Sequence, residues 1–294
     1  MDRKPPSQVR RALRKEVGYG CPIKGCRSPF LQWHHFDPPW REKQHHDESG
    51  MIALCGEHHD AADANAYSKE RLHELKKGPY SSDDVKAHFP WSQKTDLIVR
   101  LGGNYSGGNQ IALMGNNQPI ISLSRDEEGL VVLSLTFKSP NGLELLSIDE
   151  NYLSVEPSAI HDLECKANQQ SIKVWFGVRN IGLELQFMRL TEPEFDAQLN
   201  ADYEASEKIK PSSFSEFFPL PNWPSTDILG KRIKEWADKR CRDSDGLYPM
   251  INVLNMTVYQ NGRKVVIRNG IGENKPAIIY SAAFDNGRAG FNIL

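Results

Sequence analysis

The spacing of apolar and polar residues predicts a mixture of helices and strands in the first 75 residues. Val9, Leu13 and Val17 recur at helical spacing, and the runs around Trp33 and Ile52 are typical of short strands. In chain order, the pattern predicts a helix over 9–17, strands over 30–36 and 51–54, and helices over 55–64 and 68–75. A strand, a second strand and a helix therefore follow one another in the centre of this segment.

From residue 96 onward the pattern changes to short apolar runs separated by Gly, Asn, Asp and Pro, which predict β-strands. These runs occupy residues 97–101, 110–114, 119–124, 130–137, 143–148, 172–177 and 182–187. Residues 191–225 are polar and Pro-rich, which predicts a long connection, and 227–240 has the spacing of an amphipathic helix. Asn261-Gly262, at the centre of 256–268, predicts a hairpin.

These elements predict an α+β protein of two domains. The length of 294 residues suits two domains, and Gly78-Pro79 and Phe89-Pro90 bracket a predicted linker. We therefore expect a first domain over 1–90 and a β-rich domain over 91–294.

Composition and charge exclude some classes of protein. The 36 Lys and Arg residues nearly balance the 38 Asp and Glu residues, so binding of nucleic acid through bulk charge alone is disfavoured. The charges do not balance locally, however, because residues 1–27 carry eight basic and two acidic residues. No apolar run reaches 18 residues, and the basic N-terminus lacks the apolar stretch of a secretory signal. We expect a cytoplasmic protein that does not bind membranes.

Histidine and cysteine are concentrated before residue 90, which holds eight of the nine His and three of the five Cys. Cys21 and Cys26 form one closely spaced pair, and Cys55 and His58 form a second. Two such pairs suit a tetrahedral structural zinc site, because each turn presents two ligands to one ion. A disulfide is the alternative, but disulfides rarely persist in a cytoplasmic protein.

A second group of side chains could bind a divalent cation. His59 and Asp63 are four residues apart and therefore project from one face of the predicted helix. An imidazole from His34 or His35 on the first strand could complete the group, and the other could accept a proton at neutral pH. A further zinc site, or a pair of His used for packing, remains an alternative.

The ordered motifs CPIKGC, WHHFDP and MIALCGEHH resemble the HNH nuclease family over residues 9–77. The resemblance implies a ββα-metal finger with zinc knuckles, which carries one catalytic Mg²⁺ or Mn²⁺ ion beside a structural zinc. It also implies that His35 is the general base for hydrolysis of a phosphodiester bond, with DNA a more expected substrate than RNA. In this family pattern His34 and His59 would be ligands of the catalytic metal, and Asp63 a more loosely matched third.

The sequence departs from the family at Gly50, where the family has an Asn that orders the loop holding the base. His45, His46 or Asp47 could orient His35 instead, and the sequence does not choose among them. The departure leaves open a zinc-stabilised module that binds nucleic acid or protein without cleaving it.

Basic side chains near these motifs are candidates for contacts to phosphate, which hold nucleic acid without reading its sequence. The candidates are Arg10, Arg11 and Arg14 in the first helix and Arg41 and Lys43 in the loop after the first strand. Trp33, Phe36 and Trp40 are expected core or lid residues, with base stacking as the alternative. By analogy with two-part nucleases, some of which act in anti-phage defence, the β-rich part would recognise a partner protein, a trigger or a particular DNA structure, or would form a homo-oligomer.

Overall fold

A computed structural model describes residues 2–76, 78, 83–101, 104–107, 111–115, 118–139, 141–207, 226–260, 263–268, 279–280 and 291–293. Within these ranges the chain has five α-helices, and its strands form three sheets. The predicted α+β class is therefore confirmed. None of the helices in these ranges is both long and apolar enough to cross a lipid bilayer.

The helices agree in position with most of the sequence predictions. They are α1 (Ser7–Glu16), α2 (Gly56–Asp63), α3 (Lys69–Lys76), α4 (Glu192–Glu207) and α5 (Thr226–Arg240). Short 3-10 turns occur at Glu48–Gly50 and Pro157–Ala159.

The strands are short, as the spacing of turn residues predicts. They are β1 (Leu31–His35), β2 (Met51–Cys55), β3 (Val85–His88), β4 (Ile98–Leu101), β5 (Asn104–Gly107), β6 (Ile111–Gly115), β7 (Gln118–Arg125), β8 (Val131–Lys138), β9 (Glu144–Asp149), β10 (Tyr152–Val155), β11 (Asp162–Cys165), β12 (Ser171–Gly177), β13 (Asn180–Leu190), β14 (Tyr248–Gln260), β15 (Arg263–Arg268), β16 (Ile279–Tyr280) and β17 (Phe291–Ile293). Strand β3 lies within the predicted linker, whose residues 79–82 are outside the described part of the chain.

The chain forms two compact units, and neither is continuous in sequence. Unit 1 contains residues 1–90 and 136–184, and unit 2 contains 91–135 and 185–294. The segment 136–184 is thus grouped with the N-terminal residues, although the sequence suggests a boundary near residue 90 alone. The division into a domain over 1–90 and one over 91–294 stays a prediction.

In unit 1, β1 and β2 form an antiparallel pair in which His34 lies opposite Ile52 and His35 opposite Met51. Helix α2 begins directly after β2, so the order is strand, strand, helix. All five residues of β2 are buried, and they pack with Leu13 of α1 and Leu72 of α3. This small apolar core fixes the strands that carry the candidate site residues. Elsewhere in the unit, β10 lies between β3 and β9, and β11 pairs with β12.

A buried ion pair joins α1 to β11 within unit 1. The Arg14 guanidinium donates to both carboxylate oxygens of Asp162, at 3.1 Å from Nε and 2.7 Å from NH2. Asp162 is fully buried and also accepts from Arg11, which lies over the Trp175 ring. Two parallel hydrogen bonds of this kind satisfy a buried carboxylate, since each oxygen finds a charged donor.

In unit 2, β14 pairs in parallel with β4, and β14 and β15 form the predicted hairpin with Gln260 opposite Arg263. The turn residues 261–262 lie outside the described residues. Helices α4 and α5 contact each other and enclose an apolar cluster with Phe195 and Tyr248.

Helix α4 corrects the prediction of a long connection over 191–225. The backbone N–H of Thr191 donates to the Glu194 carboxylate, which is one of the two hydrogen bonds of a capping box, and the Thr191 hydroxyl donates to the same carboxylate. Asp202, further along the helix, pairs with Arg100, whose guanidinium also donates to Asn252 at 2.9 Å. The sequence TEPE contained the capping signal, but the ion pair that holds the helix joins residues about a hundred positions apart. Residues 208–225 of the predicted connection lie outside the described residues.

We predict that Asp162→Asn lowers the free energy of unfolding by about 1–3 kcal/mol, because it removes the charged acceptor of two buried hydrogen bonds from Arg14. Arg14 then keeps only a longer contact with Glu164, at 3.7 Å. Denaturant titration followed by circular dichroism measures the loss. Glu74→Gln, which breaks the exposed pair with Arg71, is the control and should change stability little. Equal stability of Asp162→Asn and wild type would contradict a structural role for this pair.

Candidate functional site

The two predicted ligand pairs come together in one cluster at the junction of β2 and α2. The Cys21, Cys26 and Cys55 sulfurs and a His58 ring nitrogen all lie within 4.8 Å of one another. Cys26 Sγ is 3.7 Å from Cys55 Sγ, and Cys21 Sγ is 3.5 Å from His58 Nδ1. The cysteines are free thiols, so the alternative of a disulfide is not formed.

These separations fit a tetrahedral zinc ion. Zinc–sulfur bonds of about 2.3 Å place two tetrahedral thiolates about 3.8 Å apart, close to the Cys26–Cys55 distance. The thiols also share protons, because a hydrogen bond from Cys21 lowers the pKa of Cys26 to about 3 while the same contact raises the pKa of Cys21. A thiolate is therefore already favoured in the cluster, and thiolate is the form that binds metal. The cluster can hold a metal such as zinc.

A second group joins β1 to α2. His34 Nδ1 lies 3.1 Å from one oxygen of Asp63, and His59 Nδ1 lies 3.5 Å from the other. Both ring nitrogens are buried and form no hydrogen bond of ordinary geometry with described residues. Together with the Asp63 carboxylate, these two nitrogens form a group that could hold a metal ion. The Asp63 side chain is about half exposed (49%), so the group is open on one side.

The environment of His34 favours its neutral form, which a metal ligand needs. Burial lowers the pKa of His34, and the neighbouring charge of His59 acts in the same direction. The Asp63 carboxylate opposes both effects. Of the predicted residues, the structure thus brings together His34, His59 and Asp63.

His35 lies in different surroundings from His34, as strand alternation requires. Its ring contacts Trp40, His45 and His46, with centroid distances of 4.7, 5.3 and 6.1 Å. Burial lowers the pKa of His35 to about 4, and the charges of His45 and His46 add to the effect. The ring is neutral at pH 7, and both its nitrogens are without a hydrogen bond of ordinary geometry to described residues.

His45 holds the loop between β1 and β2 in place. It is one of the three residues that, from the sequence, could orient His35. The Asp47 backbone N–H donates to His45 Nδ1, and His45 Nε2 lies 2.9 Å from the Pro38 carbonyl oxygen, so Nε2 carries the proton. His46 stacks on Trp40 instead. His45 therefore contacts the His35 ring and also fixes the surrounding loop through its two hydrogen bonds.

Residue 50 is a glycine because the structure leaves no room for a side chain at this position. A Cβ at this position would lie 1.9 Å from the Asp37 carbonyl oxygen and 3.0 Å from the His45 ring. The Gly50 carbonyl accepts from the Phe36 and Asp37 backbone N–H groups, which closes the loop at its base. Since the His45 ring and the Asp37 carbonyl surround this position, glycine at residue 50 has a packing reason.

The predicted basic residues occupy three environments. Arg14 is 4% exposed and its guanidinium is bound to Asp162, and a contact from Arg14 to phosphate stays a prediction. Arg11 shares the Asp162 contact, and Arg10 pairs with Glu164 at 3.2 Å. Arg41 and Lys43 are exposed in the loop after β1, where phosphate contact stays a prediction.

Comparison of the chain with known protein families, curated proteins and solved structures identifies no related protein. No family model matches the chain, and neither curated proteins nor solved structures give a significant match. The chemistry of the site therefore rests on its own geometry.

We predict that the purified protein contains one tightly bound zinc per chain and that Cys55→Ser loses it, because three ligands hold the ion more weakly than four. Elemental analysis and thermal unfolding provide the measurements. Cys241→Ser, a buried thiol outside the cluster, should retain the zinc. A fully folded wild-type chain without zinc would contradict the structural site.

We predict that Gly50→Ala lowers the free energy of unfolding by at least about 2 kcal/mol, because the backbone must move to relieve the contact with Asp37. Gly230→Ala is the matched control, since a Cβ there meets nothing within 4 Å and alanine favours the α5 helix. Denaturant midpoints of the two variants provide the comparison. A Gly50→Ala protein as stable as wild type would show that the loop tolerates the side chain.

Proposed function

We propose that the protein is a metal-dependent endonuclease of the HNH type, which hydrolyses phosphodiester bonds of nucleic acid, with DNA as the favoured substrate. In this proposal β1, β2 and α2 form the ββα-metal finger, and the Cys21–His58 cluster is its structural zinc site. The observation that carries the proposal is the pair of buried, unsatisfied nitrogens of His34 and His59 on either side of the Asp63 carboxylate. The ordered sequence motifs support it.

Each residue has a role in the proposed reaction. His34, His59 and Asp63 would hold the divalent cation, which supplies positive charge to the scissile phosphate. A ring nitrogen of His35 would take a proton from water as the water oxygen attacks phosphorus. The bond from phosphorus to the departing oxygen then breaks, and that oxygen is protonated from solvent. His45 and Trp40 would orient the His35 ring through their contacts with it.

A second candidate function is a zinc-stabilised module that binds nucleic acid or protein without cleaving it. Gly50 at the position of the family's Asn favours this candidate. The two candidates differ in one measurement, because only the nuclease needs a divalent cation to convert its substrate.

We predict that the wild-type protein nicks or linearises plasmid DNA with Mg²⁺ or Mn²⁺, and that His35→Ala and His59→Ala each reduce the rate by about 100-fold or more. Gel electrophoresis of time courses measures the rates, with RNA as a parallel substrate. Elemental analysis should find that His59→Ala keeps its zinc, since His59 is not in the cysteine cluster.

His88→Ala is the matched control for this experiment. His88 is an exposed histidine that packs on Tyr152 in the same unit, and its loss should leave the rate unchanged. Cleavage by His35→Ala at the wild-type rate would refute the proposed base. Metal-independent, salt-sensitive DNA binding with no cleavage of DNA or RNA would favour the binding module instead.

A further inference from the structure

A cavity of about 490 Å³ lies beside the candidate metal centre, entirely within unit 1. Its wall includes His59 of α2, Trp33 of β1 and Arg10 of α1. Three further cationic residues line the cavity: Lys166, just after β11, and Arg3 and Lys4, before α1. The volume falls in the range of small-molecule sites and is large enough for one nucleotide.

The charge of the cavity wall favours an anion. The side chains of Arg3, Lys4 and Lys166 have no ion-pair partner among the described residues, and all three residues are exposed. Arg10 is held by Glu164 through NH1, but its buried Nε has no hydrogen-bond partner in the described part of the chain. Glu164 is the one acidic residue among those lining the cavity. A phosphate group would meet several cations there.

The wall also has an apolar, aromatic part. Trp33 is half-buried and lines the cavity together with Leu31. A nucleic-acid base can stack on such a surface, because every base has a π-face. Phosphate-binding cations and an aromatic surface together suit a nucleotide better than they suit an inorganic anion.

The cavity is continuous with the candidate metal centre through His59, which belongs to both. A ligand in the cavity would therefore lie against His59, one of the three candidate cation ligands.

We infer that this cavity binds one nucleotide of the nucleic-acid strand that the metal centre cleaves, with the phosphate on Arg3, Lys4 and Lys166 and the base against Trp33. The inference rests on the proposed function. It adds a substrate subsite that includes Lys166, a residue about ninety positions beyond the motif segment.

The test measures binding separately from cleavage. The full-length His35→Ala protein, which leaves the cavity wall intact, is titrated into a fluorescein-labelled 12-nucleotide single-stranded DNA, and anisotropy gives Kd at several salt concentrations. Arg3→Gln and Lys166→Gln, made in this background, should each weaken binding several-fold and reduce the slope of log K against log salt by about 0.7, since each removes one phosphate contact. Trp33→Leu should weaken binding by roughly 5- to 100-fold with the slope unchanged, because stacking is not ionic.

Lys86→Gln is the matched control, because Lys86 is an exposed lysine of the same unit outside the cavity. If Arg3→Gln and Lys166→Gln bind no more weakly than Lys86→Gln, the cavity is not the subsite. A nucleoside 5′-monophosphate that competes at the same concentration as the 12-mer would overturn the assignment to a strand, since a free nucleotide would then be the occupant. Loss of binding in the cavity variants, together with a wild type that never cleaves, would place the failure in the proposed hydrolysis and leave the cavity assignment standing.

Discussion

The site depends on the convergence of three thiols and one imidazole at the point where β2 becomes α2. Cys21 and Cys26 come from the turn before β1, whereas Cys55 and His58 flank the start of α2. Their ligand atoms lie so close together that proton sharing or a metal must compensate for the repulsion between thiolates. The cluster thereby fixes the beginning of α2, and with it the direction in which His59 and Asp63 project.

Adjacent residues serve different centres because of this geometry. His58 belongs to the cysteine cluster, while His59, one position later on the helix, faces His34 across to β1. In the same way His34 and His35 have different neighbours, since His34 lies near His59 of α2 and His35 contacts Trp40 and His45 of the loop closed by Gly50. The pairs His34-His35 and His58-His59 thus supply ligands to two candidate metal sites and one buried imidazole, that of His35, whose pKa is lowered.

The local part of this arrangement could be predicted from the sequence. Ligand spacing identified the Cys21–His58 cluster, and the i,i+4 relation placed His59 beside Asp63, because both depend on short stretches of chain. The sequence did not distinguish His45 from its neighbours, since that choice depends on the space above Gly50. The Arg14–Asp162 pair and the Lys166 wall of the cavity were missed for a different reason. Their partners are separated by more than a hundred residues, and no local pattern reports such a contact. Helix α4 could be predicted in part. The cap at Thr191 can be recognised from the local sequence, whereas the ion pair of Asp202 with the distant Arg100 cannot.

The pairing of α1 with β11 also determines how this protein can be divided. A fragment that ended near residue 90 would contain every residue of both candidate metal sites, yet it would lack the carboxylate that neutralises Arg14. It would also lose the strand that covers one side of α1, and with it the Tyr19 hydroxyl's hydrogen bond to the His161 carbonyl. The segment that holds both candidate metal sites is therefore not structurally self-contained. Exchange between proteins by recombination would have to carry two separate stretches of the gene, and a single crossover would deliver the ligands without the support that keeps them in place.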